Sequence, residues 1–250
     1  MADGGPWFAA VLSVIAALYA AVGQAGATGY LAAMGVAGFD AAVMKPTALA
    51  LNLVVAGIAT VQFWRAGRVS WRTFYPFAVL GFPFSLLGGA VQLPERIYFP
   101  LVGAILIAAA IQLFRTAARA RTAPGRAPPA EPPFWPALSA GAAIGFVSGT
   151  TGTGGGVFLA PVILAMNWVD VRRTAAVTAA YNLLNSAAAL AGSYAVLGSL
   201  PPELPGWIVA VALGGVIGGT LGARHLPERT LRLLLAAILL ASGIRLLLMF

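Results

Sequence analysis

Apolar stretches separated by short polar or glycine-rich breaks fill almost the whole chain. In the first half they cover residues 7–22, 27–39, 44–64, 74–92 and 97–114. In the second half they cover residues 134–148, 153–168, 174–197, 207–223 and 230–250. A helix needs roughly 20 apolar residues to cross a bilayer, so the pattern predicts an all-α polytopic membrane protein with about eight to ten transmembrane helices.

Four of these stretches, 7–22, 27–39, 134–148 and 153–168, are only 13 to 16 residues long. Helices of that length reach about 20 to 24 Å, less than the roughly 30 Å of a bilayer core. Each neighbouring pair either spans the membrane or forms a re-entrant hairpin that turns at its glycines near mid-membrane. The sequence leaves both arrangements open.

The composition excludes a soluble globular protein. Of the 250 residues, 60% are hydrophobic and only 9% are charged, whereas soluble domains contain about 25% charged residues. The chain has no cysteine, which removes disulfides, thiolate metal sites and cysteine nucleophiles. We therefore expect the lipid bilayer to surround the chain, and we expect no cofactor.

The positive charge indicates orientation in a membrane. The formal net charge is +8, but the basic residues stand in short loops, so we expect no nucleic-acid partner. Those around the third, seventh and ninth breaks are Arg65, Arg68, Arg72, Arg172, Arg173, Arg224, Arg229 and Arg232. With ten segments these all lie on one side, which the positive-inside rule makes cytoplasmic. The prediction is a membrane protein with both termini outside.

A segment rich in proline and arginine, residues 115–133, separates two halves of five stretches each. Its composition predicts an exposed cytoplasmic linker between a first membrane repeat, 1–114, and a second, 134–250. Three features recur in the same order in both halves, which indicates duplication. They are Gly23 and Gly26 with Gly149 and Gly152, Asn52 with Asn182, and Leu-Pro-Glu-Arg at 93–96 and 226–229. With five segments per half, the two repeats are predicted to lie inverted in the membrane.

The most unusual local sequence is the glycine-rich run at 148–156. Glycine costs about 1 kcal/mol in a helix interior, so this run predicts a broken helix or close packing. The unpaired N–H groups of a restarting helix favour an anion. The predicted substrate-binding residues here are Thr150, Thr151, Gly152, Thr153, Gly154, Gly155 and Gly156, with Gln24, Gly26 and Thr28 in the corresponding break of the first half. Close packing of small residues is the alternative explanation.

Four further polar residues complete the predicted site. Asn52 and Asn182 lie inside long apolar stretches at matching positions, where each either binds substrate or links neighbouring helices. Lys45 stands at the mouth of the third stretch, where it either attracts an anion or extends to the membrane interface. Arg172 and Arg173 stand at the equivalent mouth in the second half, and we add Arg173 to the predicted site.

The sequence argues against an enzyme. Every acidic residue falls in a tail, a loop or the end of a stretch, so a buried proton relay is not expected. His225 is the sole histidine and lies in a loop, where we expect it at the surface. Catalytic dyads and histidine-rich metal sites therefore lack the necessary residues.

Three motifs carry a resemblance to a known family. They are residues 145–156 with Pro161, residues 178–186 and residues 48–52. Together with the duplicated architecture they resemble the TauE/SafE family, also called the sulfite exporter family. The first half departs from that pattern at residues 27–30, where members often show three glycines, and at Leu53, where many carry lysine.

The resemblance implies a permease of the bacterial inner membrane that exports small sulfur-containing anions, sulfite or short organosulfonates. The inverted halves predict alternating access at a site between the two repeats. The missing buried acids favour uniport, because an inside-negative potential drives anion exit. A cation-coupled uptake carrier or channel remains an alternative, as does a non-transporting membrane scaffold subunit. A homo-oligomer is left open.

Overall fold

A computed structural model describes residues 5–21, 24–119, 131–197, 200–222 and 228–248. Within these residues it contains ten helices and no strand, which confirms the all-α prediction for the described chain. The helices are α1 (Pro6–Ala21), α2 (Ala27–Ala37), α3 (Ala41–Arg65), α4 (Trp71–Ala90), α5 (Glu95–Arg119), α6 (Phe134–Thr151), α7 (Gly156–Ala165), α8 (Val171–Leu197), α9 (Leu204–Gly222) and α10 (Glu228–Leu248). Most of the linker, Gly23, the side chain of Arg172, and His225 lie outside what is described.

The helices differ in whether they are long enough to cross a bilayer. Among the described residues, α3, α4 and residues 95–115 of α5 have the length and apolar composition of membrane spans. The helices α2 and α7 have only 11 and 10 residues. At that length they reach about 15 to 17 Å, roughly half of a bilayer core. Neither can cross the membrane alone.

Glycine-lined faces bring the long helices into backbone contact. The helix α6 packs along α4, where a Cβ atom added at Gly145 would lie 2.6 Å from the carbonyl oxygen of Gly81. The helix α1 packs along α9 in the same manner, with Gly214 against the carbonyl oxygen of Ser13. The helix α5 packs on α10, and α3 packs on α8. Small residues are what permits such close approach in membrane helices.

The short helix α2 lies in the core rather than at its edge. It contacts α1, α3, α5 and α10, and eight of its 11 residues are buried. Tyr30, Leu31 and Met34 have no exposed surface. The helix is therefore enclosed by longer helices, so the backbone groups at its start must be satisfied by protein.

Candidate functional site

The two short helices begin in the same way. Gly26 has a left-handed φ of 97°, and the N–H of Ala27, the first residue of α2, donates to Oδ1 of Asn52 at 3.0 Å. Gly155 has a left-handed φ of 75°, and the N–H of Gly156, the first residue of α7, donates to Oδ1 of Asn182 at 2.7 Å. An amide side chain from a neighbouring helix thus accepts one of the N–H groups that a helix start leaves unpaired.

Both helix starts lie beside the middle of a long helix. Asn52 is the twelfth of 25 residues in α3, and Asn182 is the twelfth of 27 residues in α8. From these points α2 and α7 each lead back towards the beginning of the helix that follows them in the chain. The broken ends are therefore deep in the molecule, away from the ends of α3 and α8.

The two breaks meet each other. A Cβ atom added at Gly154 would collide with the amide nitrogen of Asn52 and lie 3.2 Å from the Cβ of Ala27. A Cβ atom added at Gly156 would collide with the side chain of Asn182. Position 154 requires glycine for two reasons. A Cβ atom would collide with Asn52, and the φ of 78° is left-handed. The glycine-rich run thus packs directly against the start of α2.

A hydrogen-bonded network surrounds this contact. Nδ2 of Asn52 donates to Oγ of Ser186 at 2.8 Å, which links α3 to α8. Nδ2 of Asn185 donates to Oγ of Ser148 at 2.8 Å, which links α8 to α6. The oxygen Oδ1 of Asn185 is buried and has no hydrogen-bond partner among the described residues. Such a buried orphan acceptor costs about 1 to 3 kcal/mol unless a ligand or water satisfies it.

Two tyrosines that the sequence did not single out support predicted site residues. The hydroxyl of Tyr19 shares a 2.9 Å hydrogen bond with Oγ1 of Thr28. The hydroxyl of Tyr98 donates to the carbonyl oxygen of Thr151 at 3.1 Å. Both tyrosines lie in apolar helices and are almost fully buried. No sequence spacing indicated these pairs, because each joins separate helices.

The predicted threonines are engaged within the protein. Oγ1 of Thr150 donates to the carbonyl oxygen of Phe146, and Oγ1 of Thr151 donates to that of Val147, both at 2.8 Å. Thr153 shares a 3.0 Å hydrogen bond with Thr151. The hydroxyls of Thr150 and Thr151 follow the common pattern of bonding to the carbonyl four residues earlier. Their protons are therefore directed at the protein backbone in this arrangement.

Lys45 is tied to the end of another helix. Its side chain is buried, and Nζ donates to the carbonyl oxygens of Gly89 and Val91 at 2.7 Å and to that of Gly88 at 3.3 Å. All three ammonium protons thus bind the carboxyl end of α4, where a cation is favoured by the helix dipole. In this conformation the described hydrogen bonds of the amine all go to backbone carbonyls.

The structure gathers most of the predicted site residues into two neighbouring groups. Gly26, Thr28, Asn52, Gly154, Gly155, Gly156 and Asn182 surround the helix starts. Lys45 lies next to Gly152 and, with Thr150, lines a cavity of about 180 Å³.

Gln24 and Arg173 lie outside these groups. Gln24 is half-buried, and its N–H donates to the carbonyl oxygen of Tyr19. Arg173 has 62% of its side chain exposed and pairs with Asp170 at 3.6 Å. It stands nine residues before Asn182, about 14 Å along α8. The structure therefore does not bring it to the helix starts.

Comparison with known proteins gives consistent results. A family model described as "Sulfite exporter TauE/SafE" matches residues 8–246. The chain is also similar to "Probable membrane transporter protein y4hK" of Sinorhizobium fredii (strain NBRC 101917 / NGR234), with 57% identity over 234 residues, 94% of each chain. No solved structure matches the chain.

Proposed function

The chain belongs to the sulfite exporter TauE/SafE family, and on that premise we propose that it carries small sulfur-containing anions, sulfite or short organosulfonates, out of the bacterial cytoplasm. Family membership makes it a helical membrane transporter that acts on small substrates. The observation that carries the proposal further is the meeting of two matching helix starts in the interior. Each start contributes the positive end of a helix dipole, equivalent to roughly half an elementary charge.

The proposed binding site lies between the starts of α2 and α7. The first N–H of each helix is held by Asn52 or Asn182, but the next N–H groups, of Thr28 and Val157, find no backbone acceptor within the described residues. Nδ2 of Asn182 also makes no hydrogen bond there. These donors suit sulfonate or sulfite oxygens. In this proposal Asn52 mainly fixes the start of α2, whereas Asn182 both fixes α7 and donates to substrate.

We also propose that residues 1–114 and 134–250 are inverted repeats, joined by the cytoplasmic linker 115–133, in an inner membrane with both termini outside. The packing supports this, because exchanging the halves converts the pair α1 and α9 into the pair α6 and α4. The helix starts align Gly26 with Gly155, an offset of 129 residues, close to the 130 between Asn52 and Asn182. The aligned glycine is thus Gly155 rather than Gly152.

One observation favours a cation-coupled carrier as the second candidate. Oδ1 of Asn185 is a buried acceptor without a partner, and the hydroxyl oxygens of Thr47 and Thr178 are likewise unpartnered among the described residues. Oxygen atoms of this kind are the ligands that alkali cations prefer. Salt dependence of anion binding separates the two proposals, since a coupled carrier needs sodium for full affinity.

Thermal stabilisation of the purified protein tests the proposed function. Binding to the native state raises the melting temperature as RT ln(1 + [L]/Kd). We expect a rise with sulfite or a short sulfonate, but little with a carboxylate of the same size. The rise should be smaller in Asn182→Ala. A response only to cations would favour the coupled carrier, and no response to any anion would count against the proposed site.

A further inference from the structure

A second cavity lies on the arginine-bearing side of the molecule. It has a volume of about 300 Å³ and is enclosed by α1, α3 and α9. Among the residues that the structure describes, its polar lining residues are Gln62 and Arg68, and none of the lining side chains is acidic. Arg68 belongs to the turn between α3 and α4, which is flanked by Arg65 at the end of α3 and Arg72 at the start of α4. The cavity is much larger than the roughly 10 to 15 Å³ that a single water molecule requires.

The cavity reaches towards the proposed substrate site. Val55 lines it and lies three residues after Asn52 in α3, less than one helical turn further along. Gln62 lies two turns beyond Val55, and Arg68 follows the end of the helix. One face of α3 thus connects the basic turn to the depth at which α2 begins.

The cavity exists because side chains of α3, rather than its backbone, contact α9. A Cβ atom added at Gly215 would lie 3.4 Å from Cγ1 of Val55, and one added at Gly219 would lie 3.0 Å from Oε1 of Gln62. Ordinary side-chain contacts therefore separate the two helices.

The corresponding face, between α4 and α8, is closed. There a Cβ atom added at Gly89 would collide with the carbonyl oxygen of Ala189, and one added at Gly192 with that of Leu86. The helices α4 and α8 are consequently in backbone contact. The offset of 130 residues between the two asparagines relates Gln62 to Gly192, so a long side chain occurs where the second half has none. This difference keeps one face open while the other is shut.

We propose that this cavity is the vestibule through which the substrate anion passes between the arginine-bearing side and the site, with Gln62 and Arg68 as its polar contacts. The proposal rests on the proposed function for the identity of the anion. The guanidinium of Arg68 supplies the charge that draws in a sulfonate or sulfite, and the amide of Gln62 supplies a donor halfway along the path. The closed face between α4 and α8 prevents passage to the other side in this conformation.

The lack of native cysteine makes the vestibule directly testable by thiol labelling. Ala59→Cys places a thiol in the cavity wall. Ala189→Cys is the matched control, because it lies 130 residues later in the closed face and is fully buried. Two membrane-impermeant methanethiosulfonates serve as probes, one carrying a sulfonate and one a quaternary ammonium group. They are applied to inside-out vesicles, which present the arginine-bearing side if the proposed orientation holds, and to right-side-out vesicles.

We expect Ala59→Cys to react from one side only, and Ala189→Cys to react from neither. Relative to a free thiol, the sulfonate reagent should be favoured roughly three- to tenfold over the ammonium reagent, as expected for one nearby charge in partly screened surroundings. Adding Arg68→Gln should remove this preference. An unreactive Ala59→Cys, equal reactivity at position 189, or an unchanged preference without Arg68 would each overturn the vestibule.

Transport measurements separate this proposal from the proposed function. In vesicles that transport sulfite or a sulfonate, Arg68→Gln should raise the half-saturating concentration several-fold on the arginine-bearing side. An unchanged half-saturating concentration would overturn the role of Arg68. If the wild-type protein transports none of these anions but Ala59→Cys still favours the sulfonate reagent, the vestibule stands and the proposed substrate fails.

Discussion

At the scale of single residues, the amide side chains do two things at once. Asn52 and Asn182 each accept a hydrogen bond from a helix start through the side-chain oxygen, but their amide nitrogens differ. The nitrogen of Asn52 donates to Ser186, whereas for that of Asn182 no partner occurs in the described structure. This asymmetry between equivalent residues makes Asn182 the better candidate for direct contact with substrate.

Substitution of Asn182 separates its two roles. Asn182→Ala removes the side-chain acceptor of the Gly156 N–H and leaves it only the carbonyl oxygen of Gly154 at 2.9 Å. We therefore expect a loss of about 0.5 to 2 kcal/mol in stability, measured as a lower melting temperature. Asn182→Asp retains an acceptor oxygen and favours the helix dipole, so it should fold. Its negative charge should nevertheless abolish stabilisation by sulfite. Normal sulfite binding by Asn182→Asp would exclude Asn182 from the anion site.

Lys45 shows that burial increases the contribution of a charged side chain to stability. Lys45→Met removes three hydrogen bonds at the end of α4 and leaves Gly89 and Val91 with unpaired carbonyls. We expect a loss of about 2 to 4 kcal/mol, since hydrogen bonds to charged groups are the stronger kind. Arg173→Gln is the control, because that side chain is largely exposed and its ion pair with Asp170 should contribute little. Equal melting temperatures for the two variants would contradict the structural role of Lys45.

At the scale of elements, the contact between the two breaks is the feature most sensitive to substitution. Gly154→Ala introduces a Cβ where Asn52 and Ala27 lie and also strains a left-handed residue. Gly38→Ala introduces the same left-handed strain at φ 79°, but its Cβ meets nothing within 4 Å. We expect about 1 kcal/mol of destabilisation at Gly38 and clearly more at Gly154. Comparable melting temperatures would show that the breaks are not in contact.

The sequence located the helices better than it located the broken ends. The ten apolar stretches match the ten described helices in order, because the hydrophobic pattern is the strongest signal of secondary structure in a sequence. In the glycine-rich run, however, α6 continues to Thr151 and α7 begins only at Gly156, rather than at the predicted 148 and 153. Five glycines permit a break at any of them, and the choice depends on where Asn182 and Asn52 lie.

The sequence predicted the site only in part, because the positions of distant segments also decide which residues meet there. Polar residues inside apolar stretches, such as Asn52 and Asn182, stand out in the sequence because burial makes them costly. The pairing of each asparagine with its partner does not stand out, since Ser186, Gly156 and Ala27 come from other segments. Lys45 is the clearest example, because the sequence suggested an anion or the interface and the structure provides the end of α4. Contacts between distant segments are a property of the fold.

At the scale of the whole molecule, the two faces that the proposed inverted repeats relate to each other differ in state. One face, between α3 and α9, holds a cavity, while its counterpart between α4 and α8 is closed. Two equivalent faces in different states are what alternating access requires of a duplicated carrier. Interconversion would exchange the states, so a bulky residue at the closed face should disfavour closure there. Gly192→Leu is such a change, because its side chain would meet the backbone of Leu86.

The energy source of transport is also a property of the whole molecule. Every acidic residue that the structure describes lies in a loop or within a turn of a helix end, so no buried carboxylate is present there to couple anion movement to protons. If the carrier is a uniporter, the membrane potential alone drives a monovalent anion, at about 2.3 kcal/mol per charge for 100 mV.

In proteoliposomes held at 100 mV, inside positive, a sulfonate should therefore accumulate up to roughly 50-fold, since 1.36 kcal/mol corresponds to a factor of ten. A potassium diffusion potential sets the voltage, and a pH gradient without a potential is the control. Accumulation that follows the pH gradient and ignores the potential would require a proton-coupled mechanism.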